Sequence, residues 1–153
     1  MDSHQFGVVD NRFLARSLGT LNPHSPILVP QETKLSDAIE LLQKHKIGCV
    51  IVTDVIGKIQ GIFTERDVLL KVALKPIHPS KVSVASVMTK NPQTATMTTS
   101  VAFSLNMMSH GGYRHLPIVD DENYPIGIIS VKDIVDYLSH AVTKDLAAFG
   151  MEE

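Results

Sequence analysis

One eight-residue pattern occurs twice in this chain, and few folds accommodate that. Gly61-Ile62-Phe63-Thr64-Glu65-Arg66-Asp67-Val68 is matched by Gly127-Ile128-Ile129-Ser130-Val131-Lys132-Asp133-Ile134. The same interval separates the opening glycines, the hydroxyl residues Thr64 and Ser130, and the aspartates Asp67 and Asp133. Each copy reads as a short apolar strand that turns directly into a helix. A strand-to-helix junction repeated at a fixed interval points to two copies of one supersecondary unit.

The elements around each junction follow the same order. Ile27-Leu28-Val29 reads as a short strand. Lys34 to Lys46 reads as an amphipathic helix, with Leu35, Ala38, Ile39 and Leu42 at i, i+3, i+4 and i+7. Gly48 to Thr53 is a near-continuous apolar run, the pattern of a strand covered on both faces. Asp54 to Gly57 supplies a turn, Lys58 to Phe63 the return strand, and Glu65 to Leu74 a second helix with Val68, Leu69 and Val72 inward. Pro76 and Pro79 break the pattern, and a short helical turn follows at 84–88. The second half then offers a brief strand at 93–96, a helix at 100–110, strands at 114–120 and 124–129, and a last helix from Val131. That helix carries Val131, Ile134, Val135, Leu138, Val142 and Leu146 on one face. Before all this, Asp10 to Gly19 reads as a short helix that Gly19 ends, with Phe13, Leu14 and Leu18 on one side. The resulting division is 1–25 for an N-terminal helix and linker, 26–75 for the first repeat, 76–90 for a linker, and 91–153 for the second repeat with its extended helix.

The fold class is therefore α+β, with tandem β-α-β-β-α repeats. Neither half is long enough to bury its sheet alone. Two halves stacked about a pseudo-twofold axis solve that problem, and surplus apolar length at both chain ends suggests a homodimer, or packing back on the same chain. The net charge is −2 with no basic block, which argues against nucleic acid as a partner. The lone cysteine, Cys49, excludes an internal disulfide. The N-terminus lacks signal-peptide regions, and no apolar run reaches bilayer length. These features imply a cytoplasmic protein with no membrane partner.

With the order of elements, the repeat length and the Gly-x-x-Thr/Ser-x-x-Asp junction in view, the chain resembles the CBS domain, named after cystathionine β-synthase. Ile47 to Asp54 and Tyr113 to Asp120 look like the corresponding strands of the two repeats, and the likeness covers 26–140. It implies a paired module that binds adenine nucleotides or their relatives between repeats, a regulatory role toward another, unidentified protein, and dimerisation.

Spacing alone makes the junctions helix caps. A hydroxyl at N-cap with an acid at N3 is a capping box and stabilises a helix start by about 1 kcal/mol without any ligand. The same groups suit a nucleotide. Asp67 and Asp133 can accept from ribose hydroxyls. The helix N-termini suit phosphate. Gly61 and Gly127 would let a ligand approach the backbone. By the resemblance, one cleft joins Thr64 and Asp67 to Arg114, His115 and Pro117. The other joins Ser130 and Asp133 to Ile47, Gly48, Cys49 and Ile27, with a cation drawn from Lys46, Arg66 or Lys132. Arg114 and His115 favour the first cleft for a phosphorylated ligand. The second would stay empty or hold an uncharged adenosine-like group.

The seven histidines show no metal-ligand spacing, and no nucleophile–base pair stands out. The leading expectation is a non-enzymatic regulatory module for AMP, ADP or ATP, with no catalytic cofactor. The competing readings are a structural dimerisation module with degenerate clefts, an S-adenosylmethionine or NAD site, and, least supported, a small enzyme.

Overall fold

A computed structural model describes residues 11–148. The first helix, α1 (Asn11–Ala15), stops earlier than its sequence suggests, and a 3-10 turn at Leu18–Leu21 follows. Gly19 sits inside that turn rather than ending the helix. Its amide donates to the Met97 carbonyl and that of Leu18 to the Thr99 carbonyl, so the turn is tied to the second half. Asp10 lies outside the described residues.

The first repeat contains β1 (Leu28–Pro30), α2 (Leu35–His45), β2 (Cys49–Thr53) and β3 (Ile59–Thr64). α3 (Glu65–Asp67) then widens into a π-helical stretch, Val68–Val72, where the Ala73 amide donates to the Val68 carbonyl. A 3-10 turn at Val84–Ser86 and β4 (Thr89–Lys90) complete this half. The sheet runs β1-β2-β3-β4, with β1 parallel to β2 and the other pairs antiparallel. Every residue of β2 is buried, as its unbroken apolar run requires.

The second repeat contains α4 (Val101–Gly111), β5 (His115–Val119), β6 (Pro125–Ser130) and α5 (Val131–Ala148). β5 and β6 pair antiparallel. The strand expected at 93–96 is reduced to a single parallel bridge, Ala95 to Ile118. On the other side His24 bridges Ile128. The parallel bridge repeats the pairing of Val29 with Val52, whereas His24 lies one residue out of the register in which Lys90 pairs with Gly61.

Each half has its own core. Leu35, Val50, Val52, Phe63 and Val84 form one; Phe13, Leu18, Val101, Leu116, Ile118 and Ile134 form the other. Ile51, Ile59 and Val119 form a smaller cluster joining the halves. Several residues expected inward are not. Leu69 is 69% exposed, Val135 54% and Leu146 46%. The final helix of each half thus carries a wider apolar stripe than its own domain covers. No helix among the described residues is long and apolar enough to cross a membrane.

A cleft between the repeats

Both junctions fold as capping boxes. The Asp67 amide donates to Thr64 Oγ1 at 3.2 Å, and Asp67 Oδ2 accepts from the Thr64 amide at 2.9 Å and its hydroxyl at 3.0 Å. At the second junction the Asp133 amide donates to Ser130 Oγ at 3.1 Å, and Asp133 Oδ2 accepts from the Ser130 amide and hydroxyl, both at 2.7 Å. Capping occupies one carboxylate oxygen in each case. The other differs: Asp67 Oδ1 pairs with Lys71 Nζ at 2.7 Å, and Asp133 Oδ1 faces His24 Nε2 at 3.3 Å.

The first junction opens on a cavity of about 570 Å³ shared by the two halves. Thr64, Arg66, Asp67 and Lys71 line it from one repeat, and Tyr113, Arg114 and His115 from the other. The structure thus brings together four of the five residues assigned to the first cleft. Pro117, the fifth, is buried in β5 opposite Ile128 and does not line the space. The expected phosphate site at a helix N-terminus is weak here. α3 has only three α-helical residues, and two of its amides are taken, Glu65 by the Gly48 carbonyl and Asp67 by Thr64. The positive charge comes from side chains instead. Arg66 and Arg114 are both exposed, and Arg66 Nη1 donates to the Gly112 carbonyl of the opposite repeat at 2.9 Å.

His115 is more enclosed than either arginine. Burial holds its pKa below the usual histidine range, opposed by the charge of Glu65. Its ring occupies the space a side chain at position 48 would need: a Cβ on Gly48 would sit 2.5 Å from His115 Nε2. Gly48 accordingly lines the first cavity, not the second. Gly61 has another use than the one expected. A Cβ there would overlap Met88 Sδ and lie 2.9 Å from the Thr89 carbonyl oxygen, so it admits β4, not a ligand.

The second group of residues does not line one cavity. A cavity of about 250 Å³ is lined by Asp133 together with Pro23, His24, Asp136, Tyr137 and His140. Ile27 and Ile47 pack on the core of the first half. Cys49 is buried, and desolvation, with the nearby charges of Asp133 and Glu65, pushes its thiol up to about 12. Lys132 ion-pairs with Asp136, and Arg66 belongs to the first cavity. The N-terminal segment fills the second side: Phe13 stacks on Tyr137 at 5.6 Å, and Arg16 Nη1 donates to the Tyr137 hydroxyl.

Several lining residues escaped sequence reasoning. Lys71 was legible as an i,i+4 partner of Asp67. Asn91, Pro92 and Gln93 carry no local signal, because they reach the cavity only through the pairing of β4 with β3. Among the described residues, no cluster of three or more His, Cys, Asp or Glu side chains is arranged to hold a metal ion.

Comparison with known proteins agrees with this architecture. A family model for the CBS domain matches residues 19–74 and 84–140. A CBS domain-containing protein of Arabidopsis thaliana is 29% identical over 134 residues, which is 86% of this chain and 24% of that protein. The meiotically up-regulated gene 70 protein of Schizosaccharomyces pombe is 30% identical over 128 residues, 84% of this chain and 17% of that protein. The chain thus spans a quarter or less of the length of these curated relatives. Among solved structures, a CBS-domain containing protein from Agrobacterium tumefaciens is 31% identical with a TM-score of 0.73, covering 80% of this chain and 98% of that one. A CBS domain pair solved in complex with 5′-methylthioadenosine and S-adenosyl-L-methionine is 25% identical with a TM-score of 0.74, covering 83% of this chain and 98% of that one. The chain belongs to the CBS domain family, as two CBS domains folded against each other.

Proposed function

We propose that this CBS pair is a non-catalytic regulatory module that binds an adenosine-containing ligand, and that its first cleft takes an adenine nucleotide. The observation that carries the reading is the cavity of about 570 Å³ lined by Asp67 of one repeat and by Arg114 and His115 of the other. Its volume lies in the usual range for small-molecule sites, about 300–1,000 Å³. A carboxylate has about four lone-pair sites, and Thr64 and Lys71 occupy three of those of Asp67, so it can receive one ribose hydroxyl beside its cap and its ion pair. Arg66 and Arg114 stand where a phosphate would remain near solvent, with Arg suited to bidentate contact. A ligand spanning both repeats would fix their relative position, and that is how occupancy would reach a regulated partner. The exposed Leu69, Leu70, Val135 and Val142 support assembly as a homodimer.

The second cleft supports a different ligand. It is smaller, carries Asp133 and Asp136, and lacks an arginine. Such a lining suits a neutral or cationic adenosine derivative, in line with the methylthioadenosine and S-adenosylmethionine held by the related pair.

Calorimetry with AMP, ATP and S-adenosylmethionine tests both statements. Adenine nucleotides should bind, and Asp67→Ala should weaken them more than Asp133→Ala does. If no adenosine compound binds or raises the melting temperature, the pair is a structural dimerisation module.

A further inference from the structure

Two titratable side chains from opposite repeats meet over Gly48. A Cβ at that position would lie 2.5 Å from His115 Nε2 and 3.1 Å from Glu65 Oε1, so the imidazole and the carboxylate crowd the same point. Gly48, Glu65 and His115 all line the first cleft. His115 opens β5 of the second repeat, and Glu65 opens α3 of the first. The arrangement occurs once. At the repeat interval His115 corresponds to Cys49 and Glu65 to Val131. The counterpart is therefore a thiol pushed up to about 12, beside a side chain that cannot ionise.

Charged groups face the ring from several elements. Burial disfavours the imidazolium most, Glu65 of α3 favours it, Arg114 just before β5 opposes it, and Asp133 of α5 favours it. Cys49 of β2 stays protonated and adds no charge. Because burial leads, the ring is neutral at pH 7, with its pKa below the ordinary 6.5. A neutral ring leaves the Glu65 carboxylate with no imidazolium opposite it. A proton on the ring makes this wall of the cleft more positive by one charge. Such a charge acts across the cavity whether or not the ring touches the ligand.

We infer that His115 and Glu65 form a proton-operated joint between the repeats, which couples mild acidification to tighter binding of a phosphate-bearing ligand in the first cleft. This rests on the nucleotide reading given above. A bound phosphate favours the imidazolium, so binding takes up a proton, and by reciprocity the proton tightens binding by the same factor. The contribution to affinity is level above the ligand-bound pKa, grows as pH falls through it, and levels again below the pKa of the free protein. The imidazolium also faces a carboxylate of the opposite repeat, so proton and ligand act on one joint.

The test follows the assigned His115 ring resonance of isotopically labelled wild type by NMR as a function of pH. Its midpoint should lie below about 6.5 in the free protein, rise with saturating AMP, and stay in place with adenosine, which has no phosphate. Glu65→Gln should lower the free midpoint further. Calorimetry at pH 8 and pH 6 compares AMP binding to wild type and His115→Gln, since the variant shares the titration of the AMP phosphate itself, near pH 6. The advantage of wild type should grow about three- to tenfold at the lower pH, the effect of a midpoint raised by up to about one unit. AMP that binds without moving the midpoint, a midpoint indifferent to Glu65→Gln, or an advantage that does not change with pH would each overturn the inference. Wild-type protein that binds neither AMP nor adenosine overturns the nucleotide reading itself, and this inference with it.

Discussion

Lys71 holds its ammonium 2.7 Å from Oδ1 of Asp67, in the i,i+4 relation along one short helical segment. Its counterpart in the second repeat is Tyr137, which has no charge to offer Asp133. There the imidazole of His24, from a different part of the chain, stands at 3.3 Å. Two aspartates with the same cap therefore have unlike second partners, one internal to its repeat and one brought by the N-terminal segment.

Exposure sets the two pairs apart in energy. The Asp67 side chain is 10% exposed and that of His24 74%. Lys71→Met leaves a nearly buried carboxylate without its cation and should cost about 1–2 kcal/mol, discounted because Lys71 itself is partly solvated. His24→Ala removes a pair that water already screens and should stay within about 0.5 kcal/mol. Thermal denaturation of both variants at neutral pH checks this. Equal losses would contradict the difference in burial.

Loss of a cap is a separate effect and requires no ligand. Thr64→Ala and Ser130→Ala should each lower stability by about 1 kcal/mol, or roughly 2–4 °C in melting temperature for a chain of this size. Thr64→Ser should change little, since the hydroxyl that accepts from the Asp67 amide is kept.

A Cβ on Gly48 meets the His115 ring at 2.5 Å and Glu65 Oε1 at 3.1 Å. Gly48→Ala should therefore push His115 out of place and destabilise the fold by about 1–3 kcal/mol. Combining it with His115→Ala should restore part of that loss, which a double-mutant cycle measures. Additive losses would show that the ring is not the obstacle.

His115 also gives the pH dependence a sign. Its folded pKa lies below the unfolded value, near 6.5, because burial disfavours the charged ring. Between the two values the unfolded chain binds more protons, so stability rises with pH there. The contribution is complete above about pH 6.5 and is lost as pH falls through the folded pKa. Melting temperatures recorded from neutral to mildly acidic pH should decline less steeply for His115→Gln than for wild type.

Cys49 is the sole cysteine, it is buried, and its thiol is pushed up to about 12. Only the thiolate attacks disulfide reagents. An aromatic disulfide reagent should find almost no reactive thiol in the native protein and one full equivalent in denaturant. Rapid reaction of the folded protein would mean that β2 opens on the timescale of the assay.

Much of the framework is legible in sequence because it is local. The repeated junction, the apolar run of β2 and the capping residues Thr64 and Ser130 are set by short stretches of chain. The same locality misplaces the strand at 93–96, where Ala95 makes one bridge, and misses Thr89–Lys90, which forms β4 by lying beside Gly61 and Ile62. It also places Leu69 and Val135 inside, because periodicity marks a helix face as apolar without saying what covers it.

The order of residues along the chain was enough to specify two related halves, each a sheet with helices, and a capped aspartate at the start of the helix after each junction. Hydrogen bonding and hydrophobic spacing within a few residues suffice for that. It took the folded molecule to reveal that Gly48 makes room for His115, that Arg66 crosses to the other repeat, and that the N-terminal segment closes over Tyr137. Those contacts join residues far apart along the chain, and the packing of one part on another sets them, not any pattern in either half alone.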